Sequence, residues 1–114
     1  MSIGWDVAVL DGVRFRVAVL KGRRYRYRYF KRLKNALRYA MRKVEEMEKE
    51  SAPLAAVRVS VKLKYSNNYV TFGPMIQLPA IAQALLKAGE ITAEEYERFR
   101  RWNKGELSWK DVFS

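Results

Sequence analysis

The segment from Val13 to Phe30 alternates between apolar or aromatic side chains and arginine over most of its length. A period of two places successive side chains on opposite faces of a β-strand, so the segment predicts two strands joined near Lys21-Gly22. No Asp or Glu occurs between Gly12 and Val44, so the arginines have no acidic neighbours in sequence. The pattern predicts an antiparallel sheet with one basic face, and its arginines are Arg14, Arg16, Arg24, Arg26 and Arg28.

A sheet face of uncompensated guanidinium groups needs an anion, and a polyphosphate backbone is an anion of matching length. The formal net charge is +11 and is unevenly distributed. Residues 12–72 hold 17 Lys or Arg against 4 Glu, whereas residues 73–114 hold 6 basic and 6 acidic residues. We therefore expect the first two thirds of the chain to meet a nucleic acid and the last third to be scaffold.

The 114-residue chain contains neither cysteine nor histidine, which removes disulfides, the usual zinc sites, thiol nucleophiles and histidine acid-base catalysis. Its carboxylates do not converge in the sequence as a metal-dependent nuclease would require. We therefore expect a binding protein with no catalytic residues, metal or cofactor. No stretch approaches the roughly 20 apolar residues of a membrane span, and no signal pattern opens the chain, so the expectation is a soluble, cytoplasmic protein without a membrane partner.

The register of the strands decides which face the aromatic side chains share. Trp5 to Leu10 reads as a first strand, followed by Val13 to Leu20 and Arg23 to Phe30. Two-residue loops would place Tyr25, Tyr27 and Tyr29 with Arg14 and Arg16. Three-residue loops with glycine in the left-handed position would place the tyrosines with the valines instead. The second register sorts the sheet into one apolar and one basic face, and is preferred for that reason.

The rest of the chain predicts a long helix, two more strands and C-terminal helices. Lys31 to Glu50 carries apolar residues at three- and four-residue steps. Val57 to Tyr65 repeats the two-faced strand code, and an Asn67-Asn68 turn would return a fifth strand with Tyr69 and Thr71 beside the lysines. Tyr69 is then the best candidate for an exposed aromatic side chain on the basic face.

The C-terminal third repeats a short pattern at a spacing of sixteen residues. In each copy a glycine is followed by a hydroxyl residue, Thr92 or Ser108, and by an acid three residues later. This pattern is typical of a helix stop and a capped restart. We expect helices near 80–88 and 93–103 and a last turn near 109–113, all covering the sheet.

The expected fold is a single α+β domain over residues 1–114, with the sheet and long helix in 1–72 and the C-terminal helices in 73–114. Its order is β-β-β-α-β-β-α-α, with an antiparallel sheet of about five strands. Helices would pack on the apolar face of the sheet and leave the basic face open.

The segment from Val13 to Ala40 contains, in order, a strand with alternating arginines, a Lys-Gly turn, an Arg-Tyr strand and a helix with Asn35-Ala36-Leu37-Arg38-Tyr39-Ala40. This order resembles the three-strand-plus-helix arm-binding domain of phage integrases and plant ethylene-response factors. Those domains lay the sheet in the DNA major groove. The resemblance implies that the five arginines read duplex DNA.

A basic, aromatic-rich antiparallel sheet with helices also resembles the ThermoDBP family, single-stranded DNA-binding proteins of certain hyperthermophilic archaea. The resemblance implies non-specific binding of single strands. The 15 aromatic residues, several of them interleaved with arginine, suit stacking on unpaired bases better than reading a duplex.

The sequence therefore predicts a nucleic-acid-binding protein, most simply for single-stranded DNA, with RNA and duplex DNA as alternatives and a homo-oligomer left open. Two other functions also stay open: a ribosome-dependent toxin-like ribonuclease, and a virion or interaction protein with an acidic partner. The predicted binding residues are Arg14, Arg16, Arg24, Arg26, Arg28, Arg58, Lys62, Lys64, Tyr25, Tyr27 and Tyr69.

Overall fold

The computed structural model of the chain describes residues 10–50, 56–74 and 78–113, with residues 72–74 described by their backbone alone. Four antiparallel strands, three complete helices and a 3₁₀ turn lie within these ranges, which confirms the predicted α+β class. The elements are β1 Gly12–Lys21, β2 Arg24–Phe30, α1 Leu33–Lys49, β3 Val57–Leu63, β4 Tyr69–Pro74, α2 Leu78–Lys87, α3 Ala93–Asn103 and the 3₁₀ turn Trp109–Asp111.

The described sheet has the strand order β2-β1-β3-β4, so β1 and β3 are central and β2 and β4 lie at its edges. Val17 of β1 lies opposite Val59 of β3, and the valines on either side follow the same period of two. These side chains face the helices and are almost fully buried. The core therefore lies between this face of the sheet and a layer of helices.

Helix α1 covers this apolar face. Its seven stripe residues were all predicted from their spacing and are all buried, which confirms the long helix. They are Leu33, Ala36, Leu37, Ala40, Met41, Val44 and Met47. The helix packs against β1 and β3, and its first half also contacts β2.

Helices α2 and α3 form a further layer. Their closest packing is against each other and, for α2, against α1. Phe99 and Trp102 of α3 join the same core cluster as the sheet. Gly89, with φ +75°, ends α2 in the left-handed conformation that glycine adopts most readily.

Polar contacts tie these helices together. Lys34 of α1 forms a 2.9 Å ion pair with Glu95 of α3. Burial raises the pKa of Glu95, but hydrogen bonds from the Thr92 backbone and Lys34 outweigh it, so the pKa is lowered. Glu45 of α1 accepts a 2.8 Å hydrogen bond from the backbone N–H of Trp109, which fixes the 3₁₀ turn against α1.

The strand predictions were partly wrong. The predicted strand Trp5 to Leu10 lies outside the described residues except for Leu10, whose backbone is helical, so the described sheet has four strands rather than about five. The β3–β4 hairpin pairs Lys62 with Tyr69, which leaves a longer loop than an Asn67-Asn68 turn would. The observed register differs from the predicted one by an even number of residues, so Tyr69 and Thr71 still share a face with Lys62 as predicted.

No helix within the described ranges is long and apolar enough to cross a membrane.

The two predicted helix caps differ in the structure and provide a matched pair. The hydroxyl of Thr92 accepts a 3.0 Å hydrogen bond from the Glu95 backbone N–H, and the Glu95 carboxylate accepts one from the Thr92 N–H, which completes a capping box. Ser108, the predicted cap of the second copy, makes no side-chain cap hydrogen bond. The sequence pattern was therefore correct for one copy only.

We expect Thr92→Ala to lower the free energy of unfolding by about 1 kcal/mol, because a backbone donor of α3 loses its acceptor. Urea denaturation followed by far-UV circular dichroism measures the change. The control is Ser108→Ala, which should stay within about 0.5 kcal/mol of the parent. Equal losses in both variants would contradict the capping box.

Candidate nucleic-acid interface

The face of the sheet opposite α1 combines cations and tyrosines from all four strands, and no helix in the described ranges lies over it. We call it the open face. The register places on it side chains at every second position of each strand. They are Arg14, Arg16, Ala18 and Leu20 of β1, Tyr25, Tyr27 and Tyr29 of β2, Arg58, Ser60 and Lys62 of β3, and Tyr69 and Thr71 of β4.

The tight turn between β1 and β2 is responsible for this composition. Lys21 pairs with Arg24, so the connection has two residues, Gly22 and Arg23. Gly22 has φ +64°, as the first central residue of such hairpin turns requires. An even-length loop places Tyr25, Tyr27 and Tyr29 on the same side as Arg14 and Arg16.

The preferred three-residue register is therefore wrong, and the two-residue alternative gives the correct face, although the turn lies one residue later than Lys21-Gly22. As a physical consequence, the predicted row of five arginines does not exist. Arg24, Arg26 and Arg28 lie on the helix side of edge strand β2, opposite to Arg14 and Arg16. Clean sorting of apolar and basic residues fails because β2 is an edge strand whose helix-side positions need not be buried.

The other predicted binding residues are distributed as follows. Arg14, Arg16, Arg58, Lys62, Tyr25, Tyr27 and Tyr69 lie together on the open face. Lys64 is exposed in the loop beyond the end of β3. Tyr29 was missed as a binding residue although it is 52% exposed and belongs to the same alternating run. The period of two could have identified it once the register was known.

Arg16 lies at the centre of the open face between two aromatic rings. Its guanidinium carbon is 4.5 Å from the ring centroid of Tyr27 and 4.6 Å from that of Tyr69. The Tyr69 ring in turn contacts Tyr29, with centroids 5.8 Å apart. The tyrosines of the two edge strands therefore lean inward and meet over the central arginine.

A second arginine has a similar environment at the other end of the face. The guanidinium carbon of Arg58 is 5.6 Å from the centroid of Tyr25, and the Tyr25 and Tyr27 rings stack at 6.5 Å with 23° between their planes. Each cation over a ring gains about 0.5–1 kcal/mol where water has access. These contacts hold the guanidiniums in place without neutralising them.

The hydrogen-bonding capacity of these arginines is incompletely used. The Nε atoms of Arg16 and Arg58 are buried and have no hydrogen-bond partner among the described residues. Beneath them Ser60, 1% exposed, shares a 2.8 Å hydrogen bond with Thr71. A buried donor without an acceptor costs about 1–3 kcal/mol, so these two arginines are held in place at some cost in stability.

Ion pairs are confined to the helices and their connections in the part of the chain that the structure describes. The acids Glu46, Glu94, Glu95, Glu97 and Glu106 all pair with cations outside the sheet. No strand cation has an acidic partner among these described pairs. The positive charge of the open face is therefore uncompensated within the described residues.

A cavity of about 600 Å³ lies on the helix side of the molecule, away from the open face, and is lined by residues such as Val44, Glu48 and Trp102. The open face extends across four strands, so it suits an extended ligand rather than an enclosed small molecule. Among the described residues no group of three or more acidic side chains is placed to hold a metal ion.

Comparison of the chain with family models, with curated proteins and with solved structures gives no match, so the two resemblances drawn from the sequence stay predictions.

A double-mutant cycle on unfolding free energies can test the geometry around Arg16. We expect Arg16→Ala and Tyr27→Ala to couple by about 0.5–1 kcal/mol, since the cation lies over the ring. The control cycle pairs Tyr27→Ala with Arg26→Ala, whose side chain is adjacent in sequence but lies on the opposite side of the sheet. Its coupling should be near zero. Strong coupling in the control cycle and none in the first would contradict the observed register.

Proposed function

We propose that the protein binds single-stranded DNA, with little dependence on sequence, through the open face. One observation carries the proposal: half-exposed tyrosine rings lie among guanidiniums that have no acidic partner in the described residues. Tyr27 is 50% and Tyr29 52% exposed. Proteins that bind single strands combine these two elements, a cationic surface for the backbone and aromatic rings for the bases.

The electrostatic half of the proposal rests on four cations. Arg14, Arg16, Arg58 and Lys62 project from adjacent strands β1 and β3 on one face. Four like charges on neighbouring strands repel one another, and this repulsion is relieved when phosphates bind. A guanidinium also offers several donors in a fixed plane, which suits phosphate oxygens.

The aromatic half favours unpaired bases over a duplex. A single strand exposes the flat faces of its bases, whereas a duplex hides them and offers phosphates and groove edges. The open face presents tyrosine rings around Arg16, which is itself held between Tyr27 and Tyr69. The split of the five-arginine row also weakens the support for a duplex-reading sheet, since three of its members lie on the helix side of β2.

The number of phosphate contacts predicts a salt dependence. If the four open-face cations each neutralise one phosphate, log affinity for a single-stranded oligonucleotide of about six nucleotides should fall against log salt with a slope of about −3. Fluorescence anisotropy of labelled oligothymidine across a salt series measures the slope. Duplex DNA and RNA of equal length are the comparison arms, and a flat response for every nucleic acid would overturn the proposal.

The tyrosines predict a loss that only single strands report. Tyr27→Ala or Tyr69→Ala should weaken single-strand binding about tenfold or more at fixed salt and hardly alter duplex binding. A tenfold loss lies in the lower half of the about 1–3 kcal/mol that a stacked base typically contributes. Tyr27→Phe keeps the ring and should retain binding. Anisotropy titration of both ligands measures the effect.

Tyr65→Ala is the control for this experiment, because Tyr65 is 91% exposed and lies in the β3–β4 loop rather than on a strand of the open face. Parent-like single-strand binding by both alanine variants, together with selective loss of duplex binding in Arg16→Ala, would replace the proposal with duplex recognition.

A further inference from the structure

A second cluster of arginines and aromatic rings lies on the helix side of the molecule, around the edge strand β2. It lines a shallow groove of about 290 Å³ between β2, the first half of α1 and the 3₁₀ turn. We call it the β2–α1 groove and define it by Arg28, Arg38, Arg42, Tyr39 and Trp109. Only Arg28 of this set was among the residues predicted to bind.

The groove repeats the arrangement of the open face with different residues. The guanidinium carbon of Arg28 is 4.9 Å from the centroid of Tyr39, and that of Arg38 is 5.5 Å from the centroid of Trp109. Arg42 lies 6.0 Å from both rings. Three guanidiniums are thus held by two aromatic rings in one depression.

The aromatic side of the groove is rigidly positioned. Trp109 is fixed by the 2.8 Å hydrogen bond from its backbone N–H to Glu45 of α1. Tyr39 contacts Phe30 at a centroid distance of 5.5 Å. The backbone of Trp109 and the ring of Tyr39 are therefore held by contacts within the protein, which lowers the ordering cost for a ligand that stacks on the two rings.

The charges of the groove are only partly compensated. Arg42 pairs with Glu46 at 3.2 Å, and hydrogen bonding from Lys43 lowers the pKa of Glu46 despite some burial, so the pair is ionised at neutral pH. Arg28 and Arg38 are exposed and have no ion-pair partner among the described residues. Two free guanidiniums remain beside Trp109 and Tyr39.

Edge strand β2 connects this groove to the open face. Its alternation places Tyr27 and Tyr29 on the open face and Arg26 and Arg28 on the groove side. Only the thickness of one strand separates the two surfaces, and β2 contains no acidic residue. An extended anion leaving Tyr29 would meet cations as it passes over this edge.

We infer that the β2–α1 groove is a second binding subsite for the same single strand, which passes from the open face over β2 and places phosphates on Arg28 and Arg38 and a base on Trp109. This inference rests on the proposed function and adds a path and a length requirement to it. Charge complementarity and the matching ring-and-guanidinium composition select a nucleic-acid strand as the occupant. An acidic protein segment would use the charges but would leave the rings without a stacking partner.

Oligonucleotide length separates the two subsites. In the parent protein an oligothymidine of about six nucleotides should show a salt slope of about −3, and one of about sixteen nucleotides a slope of about −4, since Arg28 and Arg38 add two phosphate contacts. The double variant Arg28→Ala/Arg38→Ala should return the long-oligonucleotide slope to about −3 and lower the affinity for that oligonucleotide about tenfold or more. Short-oligonucleotide binding should stay within about twofold of the parent.

The charge-matched control is Arg100→Ala/Arg101→Ala. It removes two surface arginines of α3 that pair with Glu97 and Glu106, and it should leave both lengths unchanged. Trp109→Phe supplies a second readout: the parent should lose tryptophan fluorescence on binding the long but not the short oligonucleotide, and this difference should disappear in the variant. Circular dichroism establishes that each variant is folded.

The outcomes distinguish this inference from the proposed function. If the groove variant binds long oligonucleotides like the control while the parent binds both lengths, the groove is not used and the open face stands. If both lengths weaken equally in the groove variant, the effect is one of general charge and the groove is again excluded. If polyglutamate displaces the long oligonucleotide from the groove at equal charge concentration, the occupant is an acidic protein. If the parent binds neither length, both proposals fail.

Discussion

The pairing of β1 with β2 determines the chemistry of both surfaces of this protein. Because Lys21 pairs with Arg24 across a two-residue turn, every odd-numbered side chain of β2 joins the even-numbered side chains of β1. One residue more in that turn would exchange the tyrosines and arginines of β2 between the faces. The open face would then lose Tyr27 and Tyr29, and the β2–α1 groove would lose Arg28. Gly22, with φ +64°, makes the short turn possible.

The tyrosines and arginines of the open face depend on each other structurally. Tyr27 and Tyr69 hold the Arg16 guanidinium through their ring faces, which restrain a flexible side chain without supplying a counter-charge. At the centre of the same face, Ala18 and Ser60 are almost fully buried. A sheet face can in this way stay cationic and ordered although no helix of the described ranges lies above it.

The sequence was sufficient where a single local pattern decides the outcome. The stripe of α1 has one periodic solution, so all seven of its buried residues were predicted. The cap pattern was less decisive, since Thr92 forms a capping box with Glu95 whereas Ser108, with an acid at the same spacing, makes no side-chain cap hydrogen bond. The sequence was insufficient where the face of a side chain depends on whether a loop has an even or an odd number of residues. Both the two- and three-residue turns are compatible with Lys21-Gly22, and only tertiary packing selects between them. At the β3–β4 loop the predicted turn was too short. The resulting register differs from the predicted one by an even number of residues, so the predicted face of Tyr69 was correct.

The β2–α1 groove was missed because Arg38 and Trp109 are far apart in sequence and meet through the Glu45 contact.

The alternation along β2 also bears on how copies of the protein behave toward one another. An exposed edge strand is a template for the edge of another chain, and proteins discourage such pairing with charges on that strand. Arg24, Arg26 and Arg28 all project to one side of β2, so two copies aligned edge to edge would bring six like charges close together. The arginines of β2 thus disfavour edge-to-edge pairing of a tyrosine-rich strand, whatever the protein binds.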